Sequence, residues 1–298
     1  MKAYRFCDSE MNRMIWLKKC FEKEGFNFRG LRQPSVYYAN LSDLDRTIMD
    51  QEKVSTDLSP DYLGIYSFQM KNRTNDLARN VKIPFDDISK EGVIILFKDR
   101  IEKISNRYGV NPSEEDIRFV VLMHEWGHWV THWPMYRKFN WHRGFHRSVK
   151  MTMETLAQLI AYWACGDNSQ LQQTLKWMSP QINGSIDESN PYGVYNRLKG
   201  KNMADIIHKI GQLRKVWFMH DAKMLEYLEA DETDLIKWLA NNKYSLSSVS
   251  QYQETEFIGI QDDANNLDAD VMRQLFPASD LSWGNRLINR ILSNNYNN

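Results

Sequence analysis

Five consecutive residues offer the clearest chemistry in this chain: His124, Glu125, Trp126, Gly127 and His128. Four residues of α-helix turn through about 400°, so two positions that far apart share one face, one turn from each other. His124 and His128 can therefore present two imidazoles to one point, the arrangement that binds a single zinc ion. Glu125 lies on the adjoining edge of the helix, near enough to take a proton from water at the metal but directed away from the ligand position. Zinc brings the pKa of such a water down to about 7, and a carboxylate can then complete the deprotonation. The flanks suit a buried site. Phe119–Met123 is apolar, Trp126 and Gly127 carry no charge, and Trp129 and Val130 are apolar again. Ile117, Val121, His124 and His128 form one stripe, so the histidines occupy the face that a helix normally turns to the core. Two core histidines satisfied by hydrogen bonds are the competing reading.

A catalytic zinc usually takes three protein ligands and leaves one position open. Pro134 stands six residues past His128, which removes the pattern with a third histidine at that place. His132 is one turn further along the same helix and cannot easily bend back to a metal held between 124 and 128. Glu154 fits better. His128 lies roughly 8 Å before the end of its helix, and Glu154 roughly 12 Å into the next one, at 1.5 Å per residue. An antiparallel pair of helices sets the two at similar height. Glu154 is also the only carboxylate of the stretch Val149–Cys165, whose other polar positions are Lys150, Thr152, Thr155 and Gln158. A lone acid on such a face needs a partner; a half-exposed surface acid is the alternative. His142 and His146 stand next in line as ligands.

These residues need two helices. Ser113 is a good N-cap, Glu114, Glu115 and Asp116 complement the helix dipole, and the motif helix should run to about Trp133, before Pro134. The second helix should run from about His146 to Ala164 and stop at Gly166. Upstream, apolar residues at helical spacing (Met11, Met14, Ile15, Leu17, Cys20, Phe21) predict a helix over 8–23, stopped by Gly25. A short helix is expected over 43–53, strands at 64–69 (GIYSFQ) and 92–97 (GVIILF), a loop over 71–90, and a helix over 99–108. Shorter helices and turns follow over 167–200, strong helical character over 202–242, loop over 243–268 and a helix near 269–275. The expected class is α+β and predominantly helical, with a small sheet packed on the motif helix. The expected segments are an N-terminal helical and irregular part (1–60), a catalytic core (61–166) and a helical C-terminal region (167–298).

HEWGH at 124–128 and the downstream helix with Glu154 in ETLAQ make the chain resemble the zincin metallopeptidases, and among them the glutamate-ligand branch, the gluzincins. The strand GVIILF and the helix that follows it, both ahead of the motif helix, extend the resemblance over about 62–165. In zincins such an edge strand runs beside the cleft and pairs with extended substrate. The resemblance implies His124, His128 and Glu154 as zinc ligands and Glu125 as general base and acid. Gluzincins often carry an Asp four residues after the ligand Glu, supporting a zinc histidine. This chain has Gln158 there, which can still hold a histidine through its carbonyl oxygen.

The leading expectation is a zinc-dependent hydrolase that cleaves peptide bonds, with a peptide or protein substrate. A zinc amidase on a small molecule is the second reading. A non-catalytic interaction or regulatory module on the same fold is the third, and the intact Glu125 speaks against it. An oxyanion-stabilising Tyr or His is also expected, and Tyr162, Tyr192, Tyr195, His208 and His220 remain open for that role. The loop Trp141–Arg147 reads as a solvated connection, or as a clamp for a substrate carboxylate through Arg143 or Arg147. The tryptophans at 126, 129, 133 and 141 read as packing.

Bulk composition excludes other classes. Of 298 residues, 42% are hydrophobic, enough for a sizeable core, and 38 basic residues balance 38 acidic ones, which argues against a nucleic-acid partner. The longest apolar runs, Gly92–Phe97 and Phe119–Met123, are too short to cross a bilayer, and MKAYRFCDSEMNRM has no apolar targeting core. Cys7, Cys20 and Cys165 are odd in number and widely spaced, so they are expected as reduced, mostly buried thiols in a cytoplasmic protein.

Overall fold

The structure, a computed structural model, describes residues 2–40, 63–67, 92–108, 112–132, 150–178, 191–213 and 221–242. Helix α1 (Asp8–Lys23) is opened by Cys7, whose backbone N–H donates to the Glu10 carboxylate at 2.9 Å, and it gives way at Gly25, where φ is +88°. It buries Met14, Leu17 and Phe21. Met11 and Ile15 were expected on the same stripe, but they are 47% and 43% exposed. An apolar stripe that wide exceeds the single face this helix turns inward.

Among the described residues four strands form one sheet: β1 (Lys2–Ala3), β2 (Ser35–Ala39), β3 (Gly64–Ser67) and β4 (Val93–Phe97), in the order β1-β2-β4-β3. Only β2 and β4 run parallel; β1 on β2 and β3 on β4 are antiparallel. The short β1 and β2 escape the sequence reading, although SVYYA is rich in β-formers. The expected edge strand GVIILF is corrected here. All five residues of β4 are buried and it is paired on both sides, as a continuous apolar strand requires. Among the described residues the outer strands are β1 and β3.

Helix α2 (Lys98–Tyr108) follows β4 directly. Helix α3 (Glu114–His132) carries the histidine motif. The Ser113 hydroxyl donates to the Asp116 carboxylate at 2.6 Å and its oxygen accepts the Asp116 N–H at 3.1 Å, closing the helix start. The first turns of α3 are tied to the sheet and to α1 by polar contacts. Tyr38 donates to Glu114 at 2.8 Å, and the Arg118 guanidinium lies 3.9 Å from Glu10, which also accepts from Tyr4. Helix α4 (Lys150–Cys165) ends at Gly166, where φ is +54°.

Helices α3 and α4 form the central pair. Gln158 faces His124 and Ala157 faces Gly127, while Glu154 lies against His128, so the two run antiparallel. Against this pair pack α5 (Ser169–Met178), α6 (Pro191–Leu198), and α8 (Asp221–Glu229), with α7 (Met203–Leu213) and α9 (Leu235–Asn241) beyond. One buried apolar cluster runs from Met14 to Leu239. Lys209 is buried in it, and its ammonium donates to the carbonyls of Tyr227, Leu228 and Ala230 at the C-terminus of α8, where a cation is favoured. The described structure is thus α+β and predominantly helical with a small sheet. Among the described residues no helix is long and apolar enough to cross a membrane. The three cysteines are free, but only Cys165 is buried; Cys7 and Cys20 are half-buried. The elements expected at 43–53, 71–90, 243–268 and 269–275 lie outside the described residues.

The α3–α4 contact depends on Gly127. A Cβ there would stand 3.0 Å from Ala157 Cα and 3.3 Å from Ile160 Cβ. Backbone cannot give way as a flexible side chain can, so Gly127→Ala is expected to destabilise the fold by about 1–3 kcal/mol, as overpacking does. Urea denaturation of the metal-free proteins measures it; an unchanged midpoint would show that the two helices separate without strain.

Candidate metal centre

His124 and His128 project from one face of α3 with ring centroids 4.9 Å apart and ring planes at 85°. Both Nε2 atoms face Glu154 Oε2 on α4, at 3.3 Å from His124 and 3.7 Å from His128. One ligand atom from each of the three residues lies within 4.8 Å of the others. Charge-assisted hydrogen bonds are shorter, about 2.7–2.9 Å. Two ligands at tetrahedral angles, each about 2.0–2.1 Å from a zinc ion, are separated by about 3.3–3.4 Å. The three side chains therefore form a group that could hold a metal ion. Glu154 is 30% exposed, so the cluster meets solvent on the carboxylate side.

The other ring nitrogen of His124 is held as well. Nδ1 lies 3.0 Å from Gln158 Oε1. Gln158 is buried one helical turn beyond Glu154, so α4 supplies both a carboxylate to one side of the imidazole and an amide to the other. Burial opposes a charge on His124. The hydrogen bond to Glu154, the charges of Glu125 and Glu154 and the Gln158 contact outweigh it and hold its pKa above the ordinary histidine value. The pocket thus favours positive charge among its carboxylates.

Glu125 is buried, and its pKa is pushed up to about 7, chiefly by burial. The charge of His124 works against the rise, the neighbouring Glu154 adds to it, and a hydrogen bond to the backbone of Tyr66 moderates it. Strand β3 makes this possible by passing very close to α3. A Cβ on Gly64 would stand 2.7 Å from Val121 Cγ1, 3.1 Å from Glu125 Cγ and 3.2 Å from Glu125 Oε1. Gly64 and Tyr66 are the site contributors that sequence reasoning missed. A glycine at the head of a β-rich run was the available signal for a close approach.

The structure thus brings His124, His128, Glu154 and Gln158 together, with Glu125 at their edge. Other candidates lie elsewhere. His208 is exposed, 3.9 Å from Glu24 and in contact with Gln212. Tyr195 is buried against Tyr162, with ring centroids 6.2 Å apart, and burial pushes its pKa up to about 12. Trp126 and Trp129 are buried and pack together, and Trp129 also meets Phe28. Trp133, Trp141, His142, Arg143, His146, Arg147 and His220, and the side chains of His132 and Tyr192, lie outside the described residues. Compared with protein-family models, curated proteins and solved structures, the chain matches none.

The raised Glu125 pKa has a consequence for stability. Between the unfolded value near 4.5 and the folded value of about 7, the folded protein keeps a proton that the unfolded chain releases. That contribution is complete below pH 4.5 and is lost as pH rises through about 7. The displacement corresponds to on the order of 3 kcal/mol. Metal-free Glu125→Gln is therefore expected to gain stability over wild type on going from pH 4.5 to pH 8, by up to about that amount. Denaturant titrations at the two pH values test this. A stability difference that stays constant with pH would mean that Glu125 ionises normally.

Proposed function

We propose that this protein is a zinc-dependent hydrolase of the zincin type, a metallopeptidase that cleaves peptide bonds. The observation that carries the reading is the convergence of His124 Nε2 and His128 Nε2 on Glu154 Oε2, with the Glu125 carboxylate buried beside them. The antiparallel edge strand next to the motif helix supports it, as does the third ligand supplied by the following helix. A purely structural site has no use for Glu125, whose burial works against its own ionisation.

Under this proposal His124, His128 and Glu154 hold the metal, and Gln158 orients His124. Zinc, when bound, supplies a Lewis acid that acidifies water and polarises a carbonyl. Glu125 accepts the proton of the attacking water on its carboxylate and passes it to the departing amine, which ends as a free amino group. A carboxylate made more basic by burial suits both halves of that transfer. The Tyr66 backbone contact keeps it directed along the edge of the helix. Extended peptide is the matching substrate: among the described residues β3 is an outer strand of its sheet, and a peptide strand can add to such an edge by main-chain hydrogen bonds while alternate side chains enter the cleft.

Protein purified without added metal is expected to hold about one zinc per chain, and Glu154→Ala to lose it or bind it much more weakly. Glu125→Gln should keep the metal and lose about 10²–10⁴-fold in hydrolysis of a peptide library. Chelation should abolish hydrolysis by wild type, and zinc should restore it. Elemental analysis and the library digest decide the matter. A wild-type protein that takes up no zinc on reconstitution returns both histidines to a packing role, and a fully active Glu125→Gln removes the proposed base.

A further inference from the structure

Gln158 occupies a position where a buried amide has consequences for the whole centre. Its Oε1 can only accept a hydrogen bond, and it lies 3.0 Å from His124 Nδ1. A neutral imidazole carries a single N–H. Placing that proton on Nδ1 leaves the lone pair on Nε2, the atom that faces Glu154 Oε2. Gln158 is 4% exposed, so water cannot readily take over its role. It also stands on the helix that supplies Glu154, so the carboxylate and the amide grip the same ring from one rigid element.

We infer, resting on the zinc reading above, that Gln158, beyond orienting His124, sets the charge of the centre: it holds the ring with Nε2 free without adding a negative group. A divalent cation held by two neutral imidazoles and one carboxylate retains one positive charge. An acid at position 158 would supply the same hydrogen bond and cancel that charge, binding the cation more tightly and leaving it a weaker Lewis acid. The amide gives orientation while keeping the centre electrophilic, and it makes the bound metal easier to remove.

The test is zinc affinity, measured by chelator competition on the full chain, for wild type, Gln158→Leu and Gln158→Glu. The visible absorption of the cobalt-substituted proteins is recorded beside it. Near-UV circular dichroism of the metal-free proteins shows that each variant is folded. Gln158→Leu, close in shape but with no acceptor, should weaken zinc binding about 10–100-fold and alter the cobalt spectrum, as loss of such a partner does. Gln158→Glu should restore the wild-type spectrum and bind zinc about tenfold or more tightly than wild type, within the same range of effect. A folded Gln158→Leu that binds zinc as wild type does overturns the positioning role. A Gln158→Glu no tighter than wild type overturns the charge role. In both cases the wild-type protein still binds zinc and the proposed function stands, whereas a wild type that binds none removes the function and this inference together.

Discussion

Helices α3 and α4 approach so closely at Gly127 that the backbone of Ala157 occupies the space a side chain would need. The rest of the site depends on this contact. Because the two backbones nearly touch there, side chains one turn to either side meet across the interface: Glu154 with both histidines, and Gln158 with His124. A wider separation would leave the Glu154 carboxylate short of the imidazoles. The polar contacts at the start of α3, from Tyr38 and from Glu10, fix that helix against the sheet, and α6 and α8 brace α4 from its other side. The position of the pair is thus set by packing on several sides rather than by the site itself.

The site concentrates charge in an apolar setting. Glu125 and Glu154 lie close to each other and to His124, between helices whose other contacts are almost wholly apolar. Burial alone opposes every one of these charges. Their arrangement is tolerable because each carboxylate lies near an imidazole that can carry positive charge. The raised pKa values express the same condition: burial pushes Glu125 up, and the carboxylates around His124 hold its pKa up against burial. A site strained in this way is where function and stability are expected to oppose each other.

Strand β3 contributes through its backbone. Gly64 lets the strand lie almost on the motif helix, and Tyr66 reaches Glu125 with a main-chain hydrogen bond. Neither contact uses a chemically distinctive side chain. Among the described residues the same strand is an outer strand of the sheet.

Several parts of this arrangement were legible in the residues themselves, because they are local. The spacing of His124 and His128 commits them to one helix face; Ser113 and Asp116 close the start of that helix; Gly25 and Gly166 end theirs with positive φ. The similar height of His128 and Glu154 was expected from helix rise, given an antiparallel pair of helices. Other parts were decided between segments distant in sequence. A run such as VIILF shows that a strand is buried, not which strand lies outside it, so the edge fell to β3 only once β2 paired with β4. Met11 and Ile15 obey helical periodicity yet face solvent, because a helix buries only the face that its neighbours cover. No local pattern shows that the end of α8 surrounds the Lys209 ammonium with carbonyls. The sequence by itself determined which groups are available for chemistry and which lie on a common helix face. Only the tertiary structure decided which of them meet, because the close approach at Gly127 and at Gly64 depends on the shape of the partner backbone, which no local pattern records.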